Sequence, residues 1–332
     1  MNKKILITGG CGFIGSNLVI LLIKKNFKNI VVVDNFSSSN KNILYELKKK
    51  YIQKFKCKLI FYNYDIKKKE LENVFRKHKF SQVIHLAATA KIFSSKKNSI
   101  SHFENNILST ENLLNLMRKF FVNKIIFASS AAVYGNINFK KNLLETNICK
   151  PVNLYGKSKL ICEKKIIRAN KKTFKLNYVI LRFFNVVGLM LKNKFHKNKS
   201  RNLVDVLINC IKNEKKINIY GGKFNTKDGT SVRDYIHVKD LVHCIFKISI
   251  KLENKKKITT ILNLGRGIGI TILELINQFN KFLANKIKYK IKKSRSFDPV
   301  KSIANIKKLN NFINYRFEFL SNEKLCKDLI KN

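Results

Sequence analysis

Residues Lys4-Ile5-Leu6-Ile7-Thr8-Gly9-Gly10-Cys11-Gly12-Phe13-Ile14-Gly15 decide how this chain of 332 residues folds. The apolar run Ile5–Thr8 reads as a strand, glycines 9, 12 and 15 as a tight turn, and Ser16–Lys25 as an apolar helix. Glycines in such a turn let the backbone approach a pyrophosphate, whose charge is held by the amides at the helix N-terminus. A second apolar run, Ile30–Val33, ends at Asp34, nineteen residues beyond Gly15. An acidic side chain there takes both hydroxyls of an adenosine ribose and repels a 2′-phosphate, so NAD is expected as cofactor rather than NADP.

Working outward, short apolar runs alternate with helical stretches. Strands are expected at Lys58–Tyr62, Gln82–Leu86, Lys124–Ser129 and Tyr178–Phe184. Helices are expected at Lys69–Lys79, Ile100–Phe120 and from Tyr155 to about Lys171. Such alternation predicts an α/β fold with a doubly wound parallel sheet of Rossmann type. Ligands then sit beyond the carboxyl ends of the strands, where Asp65, Ala87, Ala88 and Ser130 fall. From Val187 the regularity breaks. Further helices (Leu203–Lys212, Lys239–Ile250, Thr271–Leu283) and strands (Ile217–Tyr220, Tyr235–Val238, Thr260–Leu264) are separated by long loops, including Gly221–Arg233, and a basic C-terminal segment follows. This half shows little independent periodicity. The division expected is a dinucleotide domain over 1–186 and a smaller lobe over 187–332, with later segments partly completing the sheet.

Tyr155-Gly156-Lys157-Ser158-Lys159 is the stretch expected to carry chemistry. A tyrosine and a lysine four apart share one face of a helix. An ammonium beside a phenol favours the phenolate, drawing its pKa from roughly 10 towards neutrality and making a general base.

Composition excludes several classes. No apolar run reaches the ~20 residues of a membrane-spanning helix. Met1-Asn2-Lys3-Lys4 before an apolar stretch looks superficially like a secretory leader, but glycines interrupt the stretch. Seven scattered cysteines without a Cys-x-x-Cys pair, and six histidines without ligand spacing, argue against a disulfide framework and a metal site. They fit a cytoplasmic protein. The formal net charge of +48 would suit nucleic-acid binding. However, nine of the 68 basic residues are Arg, and the lysines are spread along the whole chain together with abundant Asn and Ile. AT-rich codons produce that pattern without selection for a partner, so no specific nucleic-acid partner is expected.

Taken together with Ser129-Ser130-Ala131-Ala132-Val133-Tyr134-Gly135, these motifs make the sequence similar to the extended short-chain dehydrogenase/reductase superfamily. The stretches Leu181-Arg182-Phe183-Phe184-Asn185-Val186-Val187-Gly188 and Asp228 to Val238 (DGTSVRDYIHV) resemble signatures of its UDP-glucose 4-epimerase family, and the likeness runs over nearly the entire chain. The resemblance implies NAD-dependent inversion at sugar C4 through a 4-keto intermediate, in a cytoplasmic homodimer, with Tyr155 as base, Lys159 on the nicotinamide ribose and Ser130 on the reacting oxygen. It implies cofactor contacts at Gly9, Gly12, Phe13, Ile14, Gly15, Asp34 and Asn35. Further contacts fall at Asp65, Ile66, Leu86, Ala87, Ala88, Asn105 and Phe184. On the UDP-sugar it implies Asn185, Arg233 and Arg295 around the diphosphate, Asn202 and Tyr220 at the uridine, and Asp298 and Ser302 as further substrate contacts.

The chain departs from the family pattern in places. Ala90 stands where a lysine is usual, with Lys91 beside it; Phe93 and Phe297 replace glycines, and Ala132 replaces a frequent threonine. Ser302 matches a position that holds a bulky tyrosine in members restricted to UDP-glucose and UDP-galactose, so the resemblance implies room for N-acetylated UDP-sugars. Neighbouring activities on the same fold are UDP-N-acetylglucosamine 4-epimerases and UDP-glucuronate epimerases or decarboxylases. A 4,6-dehydratase would need an acid pair where Ala131-Ala132 stand. A non-catalytic NAD-sensing regulator is the reading from a different class, and such proteins tend to lose the Tyr-Lys pair that this chain keeps.

Overall fold

Alternate residues of the first strand enter different cores: Ile5 and Ile7 pack in one cluster and Leu6 in another, all fully buried. A strand covered on both faces reads as an unbroken apolar run, which is why this one shows no polar alternation. The protein is described here by a computed structural model over residues 3–55, 57–89, 96–136, 141–170, 174–188, 203–294 and 299–331. The strands are β1 (Lys4–Thr8), β2 (Asn29–Val33), β3 (Lys58–Tyr62), β4 (Gln82–His85), β5 (Lys124–Ser130), β6 (Asn177–Phe183), β7 (Asn185–Val187), β8 (Ile217–Tyr220), β9 (Val232–His237), β10 (Thr259–Leu264), β11 (Gly269–Thr271), β12 (Tyr289–Lys292) and β13 (Lys301–Ser302). The helices are α1 (Phe13–Lys24), α2 (Asn42–Leu47), α3 (Gln53–Phe55), α4 (Leu71–Lys77), α5 (Lys96–Lys119), α6 (Leu154–Ala169), α7 (Leu203–Lys212), α8 (Val238–Asn254), α9 (Ile272–Asn280), α10 (Lys307–Ile313) and α11 (Asn322–Lys331).

Seven strands form one sheet in the order β10-β6-β5-β4-β1-β2-β3, every pair parallel. Helices α1 and α8 contribute to the core on one face, and α4, α5 and α6 to the core on the other. The doubly wound α/β sheet expected from the sequence is therefore present. Strand order reverses between β1 and β4, so the loops leaving these two strands diverge and open a crevice at the carboxyl edge.

The second half corrects the expectation of little periodicity. Leu207, Ile219, Tyr235, Leu275, Phe279 and Leu329 belong to a third buried cluster built almost wholly from residues after Val187. The expected loop Gly221–Arg233 ends early, because Val232 and Arg233 already pair in β9. There β11 pairs antiparallel, while β13 pairs parallel with the start of β9 and β7 with its end. The basic C-terminal segment contains β12, β13, α10 and α11. Residues 259–264 return to the main sheet as β10 beside β6.

Among the described residues, no helix is long and apolar enough to cross a membrane, and no group of three or more His, Cys, Asp or Glu could hold a metal ion.

Candidate active site

Helix α6 starts where its sequence says it should. Asn153 caps it, accepting from the Gly156 amide at 2.8 Å. Gly156 is required at that point, since a β-carbon there would lie 2.5 Å from the Ala132 carbonyl oxygen. The absence of a side chain lets the first turn of α6 close onto the 3-10 turn Ala131–Val133 that follows Ser130. Ser130 ends β5 and caps that turn, its Oγ accepting from the Ala132 amide at 3.2 Å. Asn106 on α5 donates to Ser158 Oγ at 3.1 Å, and Ser158 donates to the Tyr155 carbonyl at 2.8 Å, which braces α6 from the side.

These contacts bring Tyr155, Ser130 and Lys159 together. The Ser130 side chain acts on the Tyr155 phenol in the direction that lowers its pKa. The Lys159 Nζ lies 6.0 Å from the centre of the Tyr155 ring and 4.8 Å from that of Phe127, and donates to the Ala128 carbonyl at 2.7 Å. The electrostatics differ from the expectation of a phenol drawn towards neutrality. Burial pushes the Tyr155 phenol up to about 12, and only the Ser130 side chain opposes it. Burial also pushes Lys159 down to about 8, against the nearby Cys162 and Glu163, which raise it. Desolvation disfavours the charged form of each, and the lysine spends its hydrogen bond on a backbone carbonyl rather than on the phenol.

The glycine turn lies at the other side of the crevice. Gly9 has φ +71°, and a β-carbon on it would press on the backbone of Ala87 at 2.6 Å. A β-carbon on Gly15 would lie 2.1 Å from the Gly9 carbonyl oxygen. The turn is thus a cradle that side chains would fill, at the N-terminus of a helix, and it fits a dinucleotide pyrophosphate. Asp34 is nearly buried; its carboxylate accepts from the amides of Cys11 at 2.9 Å and Phe36 at 2.8 Å, while burial raises its pKa. Asn35 reaches Asp65 at 3.4 Å, and Lys67 links that corner to Asn105 at 2.6 Å. Ile66, whose carbonyl accepts from Asn112 at 2.6 Å, belongs to the same corner. Leu86 continues the β1 ladder by donating to the Thr8 carbonyl at 3.1 Å, with Ala87 and Ala88 following. Phe13 and Ile14 open α1. Phe184 is nearly buried in a small cluster with Val133, Tyr134, Leu143 and Ala304.

On the lobe side, Asn185 in β7 donates to the Asp234 carbonyl at 3.2 Å, and Arg233 in β9 is the register partner of Ser302 in β13. Tyr220 ends β8. Asn202, Arg295 and Asp298 lie outside the described residues, as do Ala90, Lys91, Phe93 and Phe297.

Two histidines have packing explanations. His85 is bonded to Thr8 at 2.6 Å and Thr110 at 3.2 Å, and burial, with Lys159 nearby, pushes it down to about 3, so it stays neutral. His237 caps α8, stacks on Phe319 with ring centres 3.9 Å apart and meets Asp328 at 3.1 Å.

Sequence reasoning missed a buried polar group behind the site. Glu163, one turn after Lys159 on α6, accepts from Ser129 Oγ and, bidentately, from Arg182 of β6 (Nε 3.1 Å, Nη2 2.8 Å). An arginine inside the apolar run Tyr178–Phe184 was the available signal, because a buried guanidinium needs an acidic partner.

A doubly wound sheet carrying this glycine cradle and this Ser-Tyr-Lys set defines a class, and the chain's sequence agrees: it belongs to the NAD dependent epimerase/dehydratase family, whose model matches residues 5–265. The chain is 32% identical to the bifunctional UDP-glucose 4-epimerase and UDP-xylose 4-epimerase 1 of Pisum sativum, over 98% of this chain and 94% of that one. Among solved structures, the UDP-glucose 4-epimerase of Bifidobacterium longum in complex with NAD+ and UDP is similar with a TM-score of 0.88 and 30% identity, covering 99% of this chain and 97% of that one. The UDP-glucose-4-epimerase of Stenotrophomonas maltophila with bound NAD and formylated UDP-arabinopyranose gives a TM-score of 0.89 at 26% identity, with the same coverage.

Proposed function

We propose that this protein is an NAD-dependent isomerase that inverts C4 of the sugar in UDP-glucose and UDP-galactose. The observation that carries the reading is the convergence of Tyr155, Ser130 and Lys159 across the crevice from the glycine cradle. Relatives of nearly the same length with this activity support it. Tyr155 Oη takes the proton of the sugar 4-hydroxyl, and Ser130 Oγ holds the reacting oxygen in line. Lys159 holds positive charge one turn away. NAD, when bound, supplies the hydride acceptor for C4 and a cationic ring that favours the phenolate. Gly9, Gly12 and Gly15 hold its pyrophosphate and Asp34 its adenosine ribose. Asn185, Arg233 and Arg295 meet the substrate diphosphate, with Asn202 and Tyr220 at the uridine and Asp298 a further contact to the substrate.

We further infer that residues 1–186 act as the NAD-binding domain and 187–332 as the substrate lobe, with β10 lent back to the sheet. The separate cluster around Tyr235 and Phe279 supports that division. A cytoplasmic homodimer is the assembly proposed, paired through α5 and α6, which carry exposed Leu108 and Ile167. No specific nucleic-acid partner is assigned to the positive charge.

Purified protein incubated with UDP-galactose is expected to yield UDP-glucose without added reductant. Tyr155→Phe is expected to fold and retain NAD but lose nearly all turnover; full activity in that variant sinks the mechanism.

A further inference from the structure

Ser129, Arg182 and Asn263 stand in register on three adjacent strands, β5, β6 and β10. All three are at most 4% exposed, and together they make a buried polar row across three strands of the sheet. Glu163 closes the row from α6, bonded to Ser129 and Arg182 as described. The Arg182 guanidinium stacks 4.9 Å over the Tyr134 ring and donates to the Glu145 carbonyl at 3.1 Å. Tyr134 in turn donates to Asn263 at 2.6 Å. Burial works against the charge of Arg182, but the Glu163 carboxylate outweighs it and holds the guanidinium charged. The pair is thus a fixed dipole, fully bonded on both sides.

Its position matters more than its charge count. Tyr155, Lys159 and Glu163 follow at intervals of four on one face of α6. Ser129 immediately precedes Ser130. The carboxylate therefore ties the helix that carries Tyr155 and Lys159 to the strand end that carries Ser130, through one hydrogen bond from Ser129, and to β6 through two from Arg182. We propose that Glu163, clamped by Arg182 and Ser129, is a positioning residue for the Tyr155–Ser130–Lys159 set, fixing the register of α6 on β5 and keeping an anion one turn from Lys159. The inference rests on the epimerase reading above.

The groups facing Lys159 are Tyr155, Cys162 and Glu163 on its own helix and His85 from β4, with Arg182 from β6 and Cys149 from the preceding loop behind Glu163. Of these Glu163 is the carboxylate. An anion nearby favours the ammonium, so removing it leaves burial less opposed and moves Lys159 titration to lower pH.

The test compares Glu163→Gln, Glu163→Asp and Ser129→Ala in the full-length NAD-loaded enzyme. Glu163→Gln is expected to lower kcat for UDP-galactose by ~10–100-fold, the scale of a small misplacement of catalytic groups. KM should stay within about threefold, since the row is buried within the fold, and the basic limb of the pH–rate profile should move to lower pH. Glu163→Asp is expected to lose kcat but keep the limb in place. Ser129→Ala, which leaves the ion pair intact, is expected to lose about threefold or more in kcat with the limb unmoved. Lys159 titration, followed by NMR of lysine labelled at Cε and assigned with Lys159→Met, reports the same shift without any turnover. A folded, NAD-retaining Glu163→Gln with wild-type kcat and wild-type Lys159 titration overturns the inference. If that variant does not fold, an unchanged kcat in Ser129→Ala overturns it. Wild-type protein inactive on UDP-galactose would instead refute the functional reading, leaving the titration shift to judge the clamp.

Discussion

The Lys159 ammonium donates to the carbonyl of Ala128, two residues before Ser130 on the same strand, at 2.7 Å. The lysine is 3% exposed and its pKa is pushed down to about 8. Folding thus favours its neutral form, and the charged form is a burden carried below pH 8. Between about pH 8 and the unfolded value near 10.4, the unfolded chain binds the extra proton, so this contribution to stability rises with pH. Lys159→Met is therefore expected to be more stable than wild type at pH 7, by ~1–3 kcal/mol, with the gap closing towards pH 10. Urea unfolding of both proteins across pH 7–10 reads it. Turnover should fall by roughly 100-fold or more.

Gly15 has no room for a methyl group, because the Gly9 carbonyl oxygen sits 2.1 Å from where it would go. Gly15→Ala must push the cradle apart, at a cost of about 1–3 kcal/mol if the turn absorbs it all. Bound NAD, measured by absorbance after desalting, is expected to drop tenfold or more while the circular dichroism spectrum stays helical.

Asp34 spends its carboxylate on the amides of Cys11 and Phe36, holding the turn and the β2 exit together. Asp34→Asn removes the negative charge that would repel a 2′-phosphate. The ratio of NADP to NAD affinity is expected to rise about tenfold or more, with NAD itself bound more weakly by ~1.5–3 kcal/mol. Titration calorimetry with both nucleotides separates the two effects.

Ser302 is paired with Arg233 in the lobe sheet and is partly buried. If its small side chain leaves space beside the sugar, Ser302→Tyr should lower kcat/KM for UDP-N-acetylglucosamine at least tenfold, on the scale of overfilling a packed site. Activity on UDP-galactose should be spared. Equal loss on both substrates, or no turnover of the N-acetylated sugar by wild type, removes Ser302 from specificity.

What could be read in advance followed the range of the interactions. The β1 turn and α1 were legible because apolar run, glycines and helix are neighbours in sequence, and the dinucleotide sheet followed from repetition of that unit. The lobe was harder. Strands β7, β11 and β13 span only two or three residues, too short for a period, and exist because β9 offers them a ladder. In α11, Leu325, Cys326 and Leu329 mark a buried face, but lysines on the other positions disguise it as a basic tail. Spacing placed Tyr155 and Lys159 on one helix face, but the direction of the ammonium depends on the Ala128 carbonyl, which no local pattern reveals. Arg182 was visible in its apolar strand, and Glu163 was visible at an interval of four after Lys159; only the fold joins them.

The strand order also sets a timetable for synthesis. β6 pairs on its outer side with β10, which leaves the ribosome roughly eighty residues later. At ~5–20 residues per second, the nascent sheet waits on the order of 4–16 s with that edge bare. During this interval Arg182 stands on an unfinished strand, without Asn263 in register beside it. A chain stalled there presents an apolar parallel edge to its neighbours, so the passage from β6 to β10 is the window in which chaperones have most to protect.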